Sequence, residues 1–220
     1  MIDDGDNILI GLSGGKDSMT LLYVLNERLK RIPINYKLYP VYIDPGFDNS
    51  YADKLFRYCS DYGYNLIYEI TDHGPSAHRV GNYKNPCFLC SRRRRQRLFE
   101  IADELGCTKL ALGHNKDDII ETLFLNMFYS GHISTMIPNR SMFQGRFRVI
   151  RPLSFVDEKE IIRFSNQIDL PIFKNSCPSS NNSKRKEIKE LLSKIYCLSP
   201  NIKGNIFNSM SQVREEYLLT

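Results

Sequence analysis

Three short stretches of this chain carry side chains able to do chemistry. In the first, Ser13-Gly14-Gly15-Lys16-Asp17-Ser18 follows an apolar run and opens a helical pattern. Glycines there let successive backbone N–H groups turn toward one point, the helix start adds partial positive charge, and Lys16 adds a full one. Such a loop is an anion cradle of the kind that takes phosphates. It is not a Walker A loop, because position 10 is Ile and Asp17 follows the lysine; nor does Gly11…Gly14-Gly15 meet the dinucleotide spacing. The second stretch, Cys87-Phe-Leu-Cys90, has the spacing at which two thiolates grip one metal. Zinc would need two further ligands, and the chain has no second C-x-x-C and no H-x-x-x-H. Cys177, in a polar loop after Pro171, is the candidate third ligand, while Cys59, Cys107 and Cys197 suit core or incidental positions. Three thiolates without a fourth ligand suit an iron–sulfur cluster with one iron left open. The third stretch is Gly113-His114-Asn115-Lys116-Asp117-Asp118, whose acids could serve a metal or a proton, or merely cap a helix.

Basic residues add a possible partner. Arg92, Arg93, Arg94, Arg95 and Arg97 crowd into six positions, and Lys184, Arg185, Lys186 and Lys189 form a second cluster. On a helix, Leu98, Ile101, Ala102 and Leu105 make an apolar stripe, with Arg92, Arg93 and Arg97 opposite and free to meet phosphate. Arg94 falls on the stripe and Arg95 at its edge. Either could face a nucleotide or metal pocket next to Cys90, and the bland alternative is an internal salt bridge to an acid such as Asp118.

These residues need elements to hold them. Strands are expected at Ile8 to Leu12, Lys37 to Ile43, Asn65 to Ile70, Lys109 to Leu112 and Phe147 to Ile150. Helices are expected at Asp17 to Lys30, Asp48 to Tyr62, Ser91 to Leu105, Asp117 to Tyr129 and Asp157 to Ile168, with a wholly helical tail from Lys184. Strand and helix alternate five times, which predicts an α/β fold with a five-stranded parallel sheet and right-handed crossovers. The phosphate loop then lies outside the carboxyl end of the first strand, where such sheets bind ligands. Residues 1–170 are expected as the nucleotide-binding domain carrying the C-x-x-C helix, and 171–220 as the cysteine loop and helical tail.

Composition bounds the rest. With 220 residues, 42% hydrophobic and 25% charged, the chain can bury a core without disulfides, and disordered or collagen-like classes are excluded. The six cysteines are too sparse for a stapled secreted scaffold, the acidic first residues do not read as a secretory signal, and no apolar run approaches a membrane span. A reducing cytoplasm is the expected compartment, with no membrane partner. The net charge of +5 concentrates in the two basic clusters and suits a polyanion.

Ser-Gly-Gly-Lys-Asp-Ser after the first strand resembles the pyrophosphate loop of the PP-loop (N-type) ATP pyrophosphatases, whose fold is the adenine nucleotide alpha hydrolase-like sheet with helices on both faces. Leu112-Gly113-His114 through Asp117-Asp118 to Thr122-Leu123 is similar to a block of their tRNA-modifying branch. Cys87-x-x-Cys90-Ser-Arg-x-Arg-Arg, Thr122-Leu-Phe-Leu-Asn-Met-Phe-Tyr and Val149-Ile-Arg-Pro-Leu resemble the TtcA family of tRNA 2-thiocytidine synthetases, over most of the chain from Ile2 to Arg185. The resemblance implies that ATP with Mg²⁺ occupies Ser13 to Ser18 together with Ile43, Gly113, His114 and Arg151. It implies Lys16, Asp17, Asp117 and Asp118 as catalytic, a [4Fe–4S] cluster on Cys87, Cys90 and Cys177, and tRNA against Arg92, Arg93, Arg97, Lys184 and Arg185. The expected partners are tRNA, a sulfide or persulfide donor such as a cysteine desulfurase, and a second copy of the chain in a homodimer. The expected reaction is ATP-dependent thiolation of an anticodon-loop cytidine at C2. Alternatives are a PP-loop enzyme thiolating another tRNA position or a small substrate, and a non-catalytic zinc-containing RNA-binding protein.

Overall fold

The computed structural model describes residues 1–48, 50–79, 86–173, 177 and 184–217. The polar loop expected at Ser176 to Ser183 lies outside the described residues except for Cys177. Six strands form one sheet: β1 (Asp6–Leu12), β2 (Tyr36–Asp44), β3 (Ile67–Ile70), β4 (Lys109–Leu112), β5 (Asn139–Met142) and β6 (Phe147–Ile150). Their order is β3-β2-β1-β4-β6-β5, parallel except for β5, which runs antiparallel to β6. The five expected strands are all present. The sixth, β5, is a polar edge strand with one apolar residue in four, too weak a pattern to register in sequence. It reaches β6 through a tight turn in which Phe143, Gln144 and Gly145 all take positive φ.

Helices α1 (Lys16–Leu29), α2 (Ala52–Asp61), α3 (His73–His78), α4 (Pro86–Glu104), α5 (Lys116–Ser130), α6 (Glu158–Gln167), α7 (Lys184–Tyr196) and α8 (Ile202–Ser209) complete the chain. The short α3 contains Gly74 and Pro75 and so read as loop. Helix α4 begins five residues before its expected start, because Pro86 suits the first helical position, where no N–H is needed. The tail is two helices rather than one continuous helix, parted at Ser199-Pro200.

Side chains of the central strands alternate between two cores. Ile8, Ile10 and Leu12 of β1 and Tyr42 of β2 pack with Met19, Leu22 and Leu25 of α1, Leu55 of α2 and Ile161 of α6. Leu9, Val41, Ile43, Leu110 and Val149 face the other way, onto Ile101 and Ala102 of α4. Burying such side chains on both faces, at roughly 1.5–3 kcal/mol each, supplies the force that orders the sheet.

The chain forms two compact units, Met1–Asn115 with Ile137–Ser180, and Lys116–Met136 with Asn181–Thr220. This differs from the expected division after residue 170: α5 joins the C-terminal helices. The reason is its sequence, apolar on nearly every side, so that Ile120, Phe124 and Leu125 share a core with Ile188, Leu192, Ile206 and Phe207.

Candidate active site

Strand order reverses at β1, which lies between β2 and β4, and the loops leaving β1 and β4 open at this switch point. The phosphate loop is locked from within and from below. The Ser18 hydroxyl donates to the Gly15 carbonyl (3.0 Å) and accepts the Ser13 N–H (3.1 Å), while the Met19 N–H starts the helix on the Gly15 carbonyl (3.1 Å). Gly14 has φ +70°, and a Cβ there would stand 2.6 Å from the Tyr51 ring and 3.0 Å from Phe173 Cβ. Tyr51 donates its hydroxyl to the Ser13 carbonyl (2.5 Å), and the Phe173 N–H donates to the Gly14 carbonyl (2.9 Å). The two rings stack at 5.4 Å. Tyr51 and Phe173 therefore form the floor of the loop, although nothing in their spacing announced it.

Lys16 is the first residue of α1 and is half-buried rather than exposed on the loop. Its ammonium donates to Glu158 Oε1 (2.8 Å) at the start of α6 and to Asp17 Oδ2 (3.0 Å). Burial works against its charge, yet Glu158 and Asp17 outweigh it and hold its pKa above the ordinary lysine range. The other Asp17 oxygen accepts the side-chain N–H of buried Asn115 (3.0 Å), two residues beyond Gly113. Gly113 itself has no room for a side chain: a Cβ would come within 2.8 Å of the Asp17 carbonyl carbon and the Ser18 nitrogen. Its expected place in the nucleotide site thus becomes close backbone approach to the first turn of α1. Next to it, the Arg151 Nε donates to His114 Nδ1 (3.3 Å) and its terminal nitrogen to the Ile137 carbonyl (2.5 Å). Arg151 is buried, and that burial, with Arg95 and Arg140 close by, pushes its guanidinium down to about 10. A cation so placed is stabilised by an incoming anion. The Ile43 side chain is 1% exposed and packs in the α4 core, which leaves its backbone to face a nucleotide.

The cysteines lie on the same unit. Cys87 and Cys90 occupy the first turn and a half of α4, and both, like Cys177, are free and partly buried. Burial pushes the Cys90 thiol up, Arg94 pulls it back, and the Cys177 and Cys87 thiols push it further up, so both cysteines lie within electrostatic reach of Cys90. Among the described residues no three His, Cys, Asp or Glu side chains stand close enough to share one metal ion. Three thiolates suit a cuboidal cluster with one open iron, whereas a structural tetrahedral zinc takes four protein ligands. Cys59 and Cys107 are buried and each is pushed up to about 11, which keeps them inert thiols.

The basic residues part company. Arg92 is exposed, and Arg93 donates to the Ser76 hydroxyl. Arg97 is not free to meet phosphate: it is clasped by Glu69 (2.9 Å), Glu100 (3.2 Å) and Glu104 (2.8 Å), acids that helical spacing and strand pairing bring to it. In the second unit Asp117 pairs with Lys203 (2.7 Å) and Asp118 with Arg185 (2.8 Å), which also reaches Thr122 (3.1 Å). These pairs fasten α5 to α8 and α7. Asp118 therefore has Arg185 as a partner. Lys184 pairs with Glu187 (3.0 Å) and lies 5.2 Å over the Tyr129 ring.

A model of the PP-loop domain matches residues 3–195. The chain belongs to the PP-loop family. Within it, the chain falls among the tRNA-cytidine 2-sulfurtransferases. It is 40% identical to the tRNA-cytidine(32) 2-sulfurtransferase of Pelobacter propionicus, over all of this chain and 82% of that protein. To the protein of the same name from Bordetella avium it is 41% identical, over all of this chain and 70% of the relative. Among solved structures, the U34-tRNA thiolase NcsA of Methanococcus maripaludis with its [4Fe–4S] cluster superposes with a TM-score of 0.80 at 26% identity, over 99% of this chain and 74% of that one. No helix among the described residues is long and apolar enough to cross a membrane.

Proposed function

We propose that this PP-loop enzyme thiolates a tRNA base, C2 of a cytidine in the anticodon loop, at the expense of ATP. The observation that carries the reading is the joint construction of the two sites. The phosphate loop rests on Phe173, and Cys177, four positions on in the sequence, lies within electrostatic reach of Cys90. The relatives named as tRNA-cytidine(32) 2-sulfurtransferases support the base, and the thiolase structure supports the cluster.

In the first step the base's C2 oxygen attacks the α-phosphorus of ATP, an O–P bond forms, and pyrophosphate leaves with the broken bond's electrons. The loop amides and the start of α1 face that charge. Lys16 exchanges Glu158 for the phosphates, and Arg151, a buried cation pressed by its neighbours, meets a second anionic group. Asp17, held by Asn115 and Lys16, is the carboxylate we assign to the loop; Asp117 and Asp118 serve α5. Among the described residues no three carboxylates gather to form a Mg²⁺ cage, which suits a cation that arrives on the phosphates. In the second step a sulfide attacks C2, the C2–O bond breaks, and AMP departs. When bound, a [4Fe–4S] cluster on Cys87, Cys90 and Cys177 supplies an iron without a protein thiolate for sulfur handling. Arg92 and Arg93 on one unit, and the Lys184 to Lys189 cluster on the other, are the residues we assign to tRNA. A donor such as a cysteine desulfurase, a cytoplasmic setting and a homodimer complete the reading.

Anaerobically reconstituted protein, given ATP, sulfide and tRNA, should yield 2-thiocytidine, AMP and pyrophosphate in equal amounts by mass spectrometry of digested nucleosides. Thiouridine instead would favour the activity named for the Methanococcus thiolase, and ATP turnover without thiolated tRNA would sink the proposal.

A further inference from the structure

Arg94 stands where a charge is hard to keep. On α4, Cys90, Arg94 and Leu98 recur every fourth residue and so share one line of the helix. Leu98 Cδ1 lies 3.2 Å from the position a Cβ would take on Gly11, so this line faces β1 two residues before the phosphate loop. At 1.5 Å of rise per residue, Arg94 sits about 6 Å and Cys90 about 12 Å beyond Leu98 along the axis. Arg94 thus lies about one helical turn from Cys90 on one side and within electrostatic reach of Tyr42 and Tyr51, beside the phosphate loop, on the other. Its Nε is buried and has no hydrogen-bond partner among the described residues. The contrast with Arg97, three residues on and clasped by three carboxylates, shows that the helix does not lack acids; they are placed elsewhere. Asp44, the buried acid closing β2, is occupied by the Gly46 N–H and the Ser50 and Tyr42 hydroxyls. An unmet guanidinium N–H in a half-desolvated place calls for an anion.

We propose that Arg94 is the counter-charge of the three-cysteine site, a positioning residue that stabilises the negative charge of a cluster held by Cys87, Cys90 and Cys177. The inference rests on the cluster reading given under Proposed function. A [4Fe–4S] core with three thiolates is net negative in both its usual redox states, more so when reduced, and nearby positive charge favours the reduced state. Removing Arg94 should therefore lower the midpoint potential and loosen the cluster.

The test compares wild type, Arg94→Gln, Arg94→Lys and Arg92→Gln as full chains, reconstituted anaerobically and loaded with iron and sulfide. Potentials are read by redox titration followed by electron paramagnetic resonance, and cluster lifetimes by bleaching with an iron chelator. Arg94→Gln should have a more negative potential than wild type and bleach about tenfold faster. Arg94→Lys should restore most of both, while Arg92→Gln, the same charge change at an exposed position on the same helix, should resemble wild type. Equal potentials and lifetimes in Arg94→Gln and Arg92→Gln would overturn the inference while leaving the cluster reading standing; wild type that binds no iron would remove both. Should Arg94→Gln fail to fold, modification by phenylglyoxal decides the matter on wild type. Arg94 should be about tenfold better shielded in loaded than in apo protein, with Arg92 modified equally in each, and equal modification of Arg94 in both forms would overturn the assignment.

Discussion

Lys16 shows how a residue can be found in sequence while its environment is not. The spacing Ser-Gly-Gly-Lys-Asp-Ser is local, and a loop that must turn N–H groups inward needs its glycines in a row. Glu158, which holds Lys16 at 2.8 Å, is 142 residues away and nothing marks it beyond its place in the first turn of a helix. Tyr51 and Phe173 were invisible for the same reason, and Asn115, though inside the third stretch, gave no sign of its bond to Asp17, 98 positions away. Lys16→Ala should leave the fold intact and cut pyrophosphate release by a factor on the order of 10², the cost of losing one charge-stabilising group. Near-normal release would remove the loop from the chemistry. Gly113 makes a second, structural prediction. A methyl group there meets backbone, which cannot swing aside, so Gly113→Ala should destabilise by about 1–3 kcal/mol and weaken ATP binding. Gly204, in α8 with nothing within 4 Å of its would-be Cβ, is the control: Gly204→Ala should stabilise by roughly 0.5–1 kcal/mol. Thermal melts of both variants decide whether close approach, and not helix propensity, fixes Gly113.

Strands and helices with strong periodicity could be read closely, and β4 and β6 begin and end where the apolar runs do. Elements that owe their existence to tertiary partners could not. The edge strand β5 forms because β6 offers it a ladder, and α3 forms against α4 despite its glycine and proline. The arginine helix illustrates both sides. Its apolar stripe was correctly located, since Ile101 and Ala102 are buried, but the face drawn opposite it was treated as uniformly free. Arg97 is taken up by Glu69 on the neighbouring strand β3, which no helical wheel contains. Arg92 and Arg97 should therefore behave differently in tRNA binding. Arg92→Gln should weaken binding and lower the slope of log affinity against log salt by about 0.9. Arg97→Gln should leave the slope unchanged and cost at most about 1 kcal/mol of stability, as exposed ion pairs do. Equal salt slopes for the two variants, measured by filter binding, would show that the carboxylates do not occupy Arg97.

The division of the whole chain follows where apolar surface can be covered rather than where sequence composition shifts. Helix α5 lies in the middle of the sequence yet completes the core of the C-terminal helices, so a cut at residue 170 would strip Ile188 and Leu192 of Ile120. The cysteines follow a similar logic, because the three we assign to the cluster are separated by up to 90 positions and only folding brings Cys177 within reach of Cys90. Six cysteines then sort by surroundings. Cys59 and Cys107 are sealed in the two cores of the sheet, where burial pushes their thiols up to about 11 and apolar neighbours surround them, so they are inert core thiols. Cys197 is exposed at the end of α7, where it donates to the Ser193 carbonyl. Protein purified without oxygen should accordingly be brown and carry about four irons, as a cuboidal cluster requires. Cys87→Ala, Cys90→Ala and Cys177→Ala should each abolish the iron and the thiolation but keep ATP binding, since among the described residues no hydrogen bond joins the phosphate loop to them. Cys59→Ala and Cys107→Ala should keep the iron and lose about 1 kcal/mol of stability to the cavity each leaves, and Cys197→Ala should change neither. Iron analysis and thermal melts on the six variants check the assignment. Stoichiometric zinc without iron in the anaerobic wild type, or full iron retained in Cys177→Ala, would show that these three cysteines do not form the cluster site.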